Sequence, residues 1–304
     1  MGKGAIGTAL LTCAAFIWGS AFVAQSMGME YVKPATFNAV RFFVGALSLL
    51  PVIWIRSRWA GSEGRGAAGG GRTLIAAGFV CGFVLFAGAV LQQTGIVYTT
   101  VGKAGFITTL YIIIVPIMGL FLGKKAALRM WFCAAAAMAG LYFLCGGGDV
   151  SSVNRGDLLV LGCAVLFSVH ILLIDRFSPL VDGVKLSFLQ FLASAALSLV
   201  MAFATEQPDL SSIWAARMPI LFTGVLSCGV GYTFQIIGQK SVNPSLASLV
   251  MSLESVFAAL TGWIVLGQVL SAKEIAGCTL IFAAIIYAQV PKRTPGHSSE
   301  RPGV

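Results

Sequence analysis

The sequence predicts an all-α membrane protein of ten transmembrane helices, arranged as two inverted five-helix repeats. Three observations carry that expectation. Runs of about 20 apolar residues recur along the whole chain, each long enough to cross a hydrocarbon core of about 30 Å. Only 10% of the 304 residues are charged and 58% are hydrophobic, against about 25% charged in a soluble domain. The chain also matches itself weakly, in an ordered way, half a length apart. The alternating pattern of a membrane β-barrel is absent.

The ten spans are expected at residues 6–27, 34–55, 73–92, 104–122, 130–145, 157–174, 187–203, 219–237, 246–266 and 275–289. The first follows a lone Lys3 and runs past Trp18 without a cleavage site, so it reads as a span rather than a removed leader. The fourth contains Pro116, which removes a backbone hydrogen bond and predicts a kink. The third carries Gly78 and Gly82 at the spacing that lets helices approach closely. The longest connector, "RSRWAGSEGRGAAGGGR", is basic and Gly-rich but lacks the GK[ST] ending of a phosphate loop, and reads as a flexible linker. The tail 291–304 has a disordered composition.

Basic residues divide unevenly between the two sides of the membrane. One side holds Lys3, Arg56, Arg58, Arg65, Arg72, Lys124, Lys125, Arg129, Arg176, Lys185, Lys240, Lys292, Arg293 and Arg301. The other holds Lys33, Lys103, Arg155, Arg217 and Lys273. Cytoplasmic loops carry the Lys/Arg excess, which places both termini in the cytoplasm of a cell-membrane protein. The net charge of +9 is therefore an orientation signal and an attraction to anionic lipid, with no nucleic-acid partner implied.

The self-match has two registers. At an offset of 149, "FIWGSAFVAQ" lies on "VLFSVHILLI", so Trp18 meets Phe167, Arg41 meets Gln190 and Phe42 meets Phe191. At 143, Gln92 meets Gln235, Gly95 meets Gly238, Ala104 meets Ala247 and Tyr111 meets Glu254. Five spans per half force the second half to enter the membrane upside down. The expected units are 1–148 and 149–290, followed by the tail 291–304. Such inverted repeats are a transporter architecture, with the solute bound near the midplane between them.

"WGSAF", "RFF", "YTTVGKAGFITTLY" and "NPSLASLVMSLESVFAALTGWIVLGQVLS" occur in that order. Together with the five-plus-five pattern, they resemble the EamA-type branch of the drug/metabolite transporter superfamily over residues 5–290. The resemblance implies a ten-helix carrier of small metabolites, often amino acids or related amphiphiles. It also implies a central cavity walled by spans 1, 3, 4, 6, 8 and 9, with spans 5 and 10 peripheral. Two positions depart from the family pattern. Ser255 follows Leu253-Glu254 where a Pro is common, which predicts a softer kink, and Gln268 replaces a common Glu.

Ionisable groups inside a bilayer cost roughly 2.5–3.5 kcal/mol or more at a helix centre and need partners or a wet cavity. Glu254 lies eight residues into its span, about 12 Å from the cytoplasmic edge. It either binds an amino group or coupling proton, or bonds a neighbouring helix. Arg41 lies roughly 10 Å from the outer edge and either holds a solute carboxylate or serves a structural role. His170 lies about 6 Å from the cytoplasmic end of the sixth span, in Glu254's half of the membrane, where a polar relay or a satisfied structural group are the alternatives. Gln92, Gln235, Thr108, Tyr111, Trp18 and Ser20 are the further candidates for solute contact, with helix packing the competing role for each.

The expected partners are a small-molecule solute, the lipid bilayer and protons as a coupling ion. A homo-oligomer is compatible with the sequence and not dictated by it. No cofactor or metal is implied: seven cysteines lie in apolar runs without a CxxC pair, and the histidines and carboxylates are scattered. A membrane-embedded enzyme would need clustered catalytic groups, and no HExxH or GxSxG is present. The leading reading is a secondary transporter, an exporter of metabolites such as amino acids. A membrane-embedded enzyme and a non-transporting sensor or scaffold stand as alternatives.

Overall fold

A computed structural model describes residues 2–59, 70–99, 101–124, 127–144, 154–266 and 271–290. The connector 60–69, Lys125, Cys145, Gln268 and the tail from residue 291, all singled out above, lie outside the described residues. Among the described residues the structure is all helix, without strands. The helices are α1 (Lys3–Gly28), α2 (Pro34–Trp59), α3 (Gly71–Tyr98), α4 (Val101–Thr108), α5 (Tyr111–Phe121), α6 (Leu128–Leu144), α7 (Arg155–Phe177), α8 (Gly183–Thr205), α9 (Leu210–Ala215) and α10 (Arg217–Leu221). A π-helical stretch, Phe222–Tyr232, joins α10 to α11 (Thr233–Gln239). The last three are α12 (Pro244–Met251), α13 (Leu253–Leu266) and α14 (Ala272–Gln289).

Among the described residues, eight apolar helical segments are long enough to cross a membrane: Lys3–Gly28, Pro34–Arg58, Gly71–Tyr98, Ala104–Phe121, Arg155–Phe177, Gly183–Thr205, Arg217–Gln239 and Pro244–Thr261. Two shorter apolar helices, Leu128–Phe143 and Ile275–Ala288, stand where the fifth and tenth spans were expected. The protein is thus a multi-pass membrane protein.

Three spans differ from the sequence-based expectation. The third runs on to Tyr98, so Gln92 and Gln93 lie inside α3 rather than at its end. Their polarity is tolerated there because both are partnered: Gln93 Nε2 donates to the Gln25 carbonyl and Gln92 Nε2 to Thr108 Oγ1, each at 3.2 Å. The fourth span breaks between α4 and α5, at Thr109–Leu110, rather than at Pro116. Pro116 crowds the carbonyl of Ile112 one turn back. The helix is interrupted above it, where the amides of Leu110, Ile112 and Ile113 make i→i−3 bonds. The ninth span breaks at Ser252 although Ser255 replaces the proline, so the expected softening does not remove the interruption. Ser252 Oγ bonds the Leu249 carbonyl and the Ser255 amide turns back to Ser252, which holds the break with local hydroxyl and 3₁₀-type bonds.

Packing sorts the helices into an inner ring and two flanking pairs. Helix α1 lies against α13, α11 and the π stretch, and α3 lies against α7 and α8. The first pair, α2 with α8, is tied at both ends. Beyond the end of α8, Glu206 accepts the Ala35 and Thr36 amides at the start of α2, both at 2.8 Å. At the opposite end, Arg56 pairs with Asp182, the N-cap of α8, at 3.2 Å. The second pair, α6 with α14, meets where a Cβ on Gly140 would lie 2.8 Å from the Gly277 carbonyl.

Glycines set the closest crossings. A Cβ on Gly7 would lie 2.8 Å from the Gly238 carbonyl, and one on Gly156 would lie 2.7 Å from the Gly95 carbonyl. Neither crossing leaves room for a methyl group.

Candidate functional site

Between the inner helices lies a cavity. Helix α1 contributes Trp18, Phe22 and Gln25, which share one face at positions i, i+4 and i+7. Helix α3 adds Gln92, and the broken fourth span adds Thr108 and Tyr111. Helix α7 adds Phe167, His170 and Ile171. The π stretch and α11 add Ser227, Tyr232 and Gln235, and the broken ninth span adds Met251 and Glu254. These six spans are the walls that the resemblance implied. A seventh contributes too: Arg41 reaches in from α2.

Nearly all of the candidate residues converge here. Trp18, Gln92, Thr108, Tyr111, Gln235, Glu254, His170 and Arg41 all line the cavity. Ser20 does not: its hydroxyl faces Phe16 O and Thr261 Oγ1, at the contact of α1 with α13. Both breaks place a polar residue in the first turn after the interruption, Tyr111 in α5 and Glu254 in α13. The two breaks touch each other, with Ser255 Oγ 3.3 Å from Thr109 Oγ1.

The charges are the decisive feature. Arg41 is 4% exposed, and so is Glu254. They do not pair with each other, and among the described residues neither has an ion-pair partner. Arg41 Nη1 donates to Gln25 Oε1 at 2.8 Å, while its guanidinium lies 4.9 Å from the Phe42 ring and 5.6 Å from Phe37. Among the described residues Arg41 Nε and Gln235 Oε1 have no hydrogen-bond partner, and the Tyr111 hydroxyl and the Glu254 carboxyl lie close beside each other without another partner. A buried polar atom left without a partner costs about 1–3 kcal/mol.

His170, for which a relay and a structural role are the alternatives, has a side-chain partner on α8. Its Nε2 bonds Gln190 Oε1 at 3.0 Å, and no hydrogen bond joins it to Glu254. Its ring stands edge-on to Tyr232, which also contacts Trp18 (4.8 Å) and Phe191 (5.7 Å). Trp18 spends its indole N–H on the Ser227 carbonyl at 3.2 Å. Tyr232 and Gln25 are the residues that sequence reasoning passed over. Helical spacing held a signal for both, since Gln25 falls seven residues after Trp18 and Tyr232 three before Gln235. Among the described residues no group of three His, Cys, Asp or Glu side chains is placed to hold a metal ion.

Comparison with known proteins gives a consistent picture. The profile of the "EamA-like transporter family" matches residues 5–146 and again 154–288. An "Uncharacterized transporter" of Archaeoglobus fulgidus is 31% identical over 278 residues, covering 91% of this chain and 83% of the relative. The "Uncharacterized inner membrane transporter YedA" of Escherichia coli K12 is 24% identical, covering 89% and 86%. The "Threonine/homoserine exporter RhtA" of Salmonella typhimurium is 27% identical over 181 residues, covering 59% and 60%. A solved crystal structure superposes with a TM-score of 0.74 at 19% identity, covering 93% of this chain and 96% of that one.

Proposed function

Since the chain belongs to the EamA-like transporter family and is a membrane transporter, we propose that it exports small zwitterionic metabolites of the amino-acid class. Arg41 holds the solute's carboxylate, with the fork geometry suited to that group. Glu254 accepts its ammonium group. Gln92, Thr108, Tyr111 and Gln235 complete the polar shell, and the aromatic rings around Tyr232 face the solute's side chain. One observation carries this reading: a buried guanidinium and a buried carboxylate line the same cavity, and among the described residues neither has an ion-pair partner. A zwitterion satisfies both at once, whereas a simple cation or anion leaves one stranded. The exporter name of one relative is in keeping with the solute class.

We further propose that residues 1–148 and 149–290 are inverted repeats of five spans each, with α6 and α14 as the fifth and tenth, and with both termini cytoplasmic. The family profile fits twice, once in each half. The glycine crossings support the same division, because Gly7 with Gly238 and Gly156 with Gly95 are one contact made twice at the offsets 149 and 143. Rocking of the halves would expose the cavity to each side in turn, with Glu254 exchanging its solute for a proton.

Proteoliposome counterflow tests the assignment. Wild-type protein should exchange a subset of labelled amino acids, and Arg41→Gln and Glu254→Gln should each abolish exchange. Absence of exchange across a broad panel of zwitterions, or full activity in both variants, would sink it.

A further inference from the structure

The π-helical stretch Phe222–Tyr232 was not signalled by the sequence, and its origin can be read from the contacts on either side of it. Under the repeat proposed above, its counterpart is the middle of α3, an α-helix throughout Gly71–Tyr98. Three glycine contacts align the two helices. A Cβ on Gly82 would lie 2.7 Å from the Gln190 carbonyl, and one on Gly224 would lie 2.9 Å from the Arg41 carbonyl. A Cβ on Gly88 would meet the Phe167 ring at 2.7 Å, and one on Gly231 would meet the Trp18 ring at 2.7 Å. One on Gly95 would meet the Gly156 carbonyl at 3.0 Å, and one on Gly238 would meet the Gly7 carbonyl at 2.9 Å. The contacted residues are repeat mates at 149 in every case. Yet Gly82 to Gly88 is six residues, while Gly224 to Gly231 is seven. The next interval is seven in both. The second half therefore carries one extra residue between Gly224 and Gly231, inside the π stretch. A π turn absorbs such a residue and leaves the following helix in phase.

What holds the extra residue in place differs between the halves. Within the π stretch, the Ser227 carbonyl accepts the indole N–H of Trp18 at 3.2 Å. Gly231 permits that approach, since a Cβ there would sit 2.7 Å from Trp18 Nε1. Phe167, the mate of Trp18, has no N–H to give, and the helix it meets is regular.

We infer that Trp18 is a positioning residue: its indole N–H keeps the additional residue of the eighth span wound as a π turn, and so keeps Tyr232 and Gln235 on the cavity wall. Without it the extra residue passes along the helix. That rotates α11 by about 100° and shifts it by about 1.5 Å, the increment of one α-helical residue. Gln235 then leaves the cavity.

Hydrogen–deuterium exchange on the full-length protein in nanodiscs tests this without any solute, so its outcome is independent of the zwitterion assignment. Trp18→Phe should speed amide exchange in 222–232 about 2- to 12-fold, the range of one net hydrogen bond, and leave 79–89 unchanged. Deleting Leu226, which is 40% exposed and outside the cavity lining, should restore the six-residue spacing and make Trp18→Phe silent in that stretch. A cysteine placed at Gln235 should lose maleimide labelling in Trp18→Phe and regain it when Leu226 is also deleted. If the deletion variant does not fold, Gly231→Ala, which drives the indole away, should reproduce the Trp18→Phe acceleration. Unchanged exchange in Trp18→Phe, or an equal acceleration with Leu226 deleted, would overturn the inference.

Discussion

The two halves of the cavity wall differ in where they keep their charge. Under the proposed repeat, the first half supplies Arg41, whose counterpart in the second half is the neutral Gln190. The second supplies Glu254, whose counterpart in the first half is the neutral Tyr111. Both members of the second pair follow a helix break, and both members of the first lie on the helices of the α2–α8 pair. Matched backbone positions thus hold unmatched chemistry. The result is a polar site with a cationic end from one half and an anionic end from the other. The neutral counterparts are also reused: Gln190 anchors His170, and Tyr111 lies close beside Glu254. The proposed repeat tolerates this because the breaks and crossings are held by glycines and backbone bonds, which leave the cavity-facing side chains free to diverge.

Erasing that asymmetry should have the largest effect. Arg41→Gln makes the first half resemble the second and should weaken zwitterion binding by about 2–5 kcal/mol, the cost of removing one member of a buried charge contact. Isothermal titration of the purified protein measures it, and a loss below tenfold would contradict the assignment. Glu254→Tyr, the reciprocal exchange, should abolish counterflow, and Glu254→Gln should abolish both counterflow and the solute-driven proton movement read by an internal pH dye. A Glu254→Gln variant that still moves protons with solute would remove Glu254 from coupling.

Gln25→Leu comes next. It removes the 2.8 Å bond that aims Arg41, and a hydrogen bond to a charged group is worth about 1.5–3 kcal/mol. Solute affinity should fall roughly 10- to 100-fold, while maximal exchange at saturating solute stays near wild type. The smallest effect is expected from Ser255→Pro. Position 255 lies in the first turn of α13, where proline is tolerated. The variant forfeits the 3.3 Å contact to Thr109 Oγ1, the 3.5 Å bond to the Gly105 carbonyl and the Ser255 amide bond to Ser252. Thermal unfolding should shift by no more than about 1–2 kcal/mol equivalent, and a collapse of the fold would show that the two breaks are held by different forces.

Membrane residence, most span positions and the convergence of His170, Gln92, Gln235, Tyr111 and Glu254 were legible in the linear chain. Hydropathy is a sum over about 20 neighbouring residues, and a polar group within such a run must face protein or water, so its presence alone foretells an inner surface. The full length of α3, the break at Thr109 rather than Pro116, the entry of α2 through Arg41 and the π turn were decided only in three dimensions. Each depends on a partner distant in sequence or on a neighbouring helix. Gln93 Nε2 donates to the Gln25 carbonyl, 68 residues away, and Trp18 donates to the Ser227 carbonyl, 209 residues away. Local transfer energies determine which segments enter the bilayer. Hydrogen bonds between segments, made where no water competes, determine how each one is wound and which way its polar face turns.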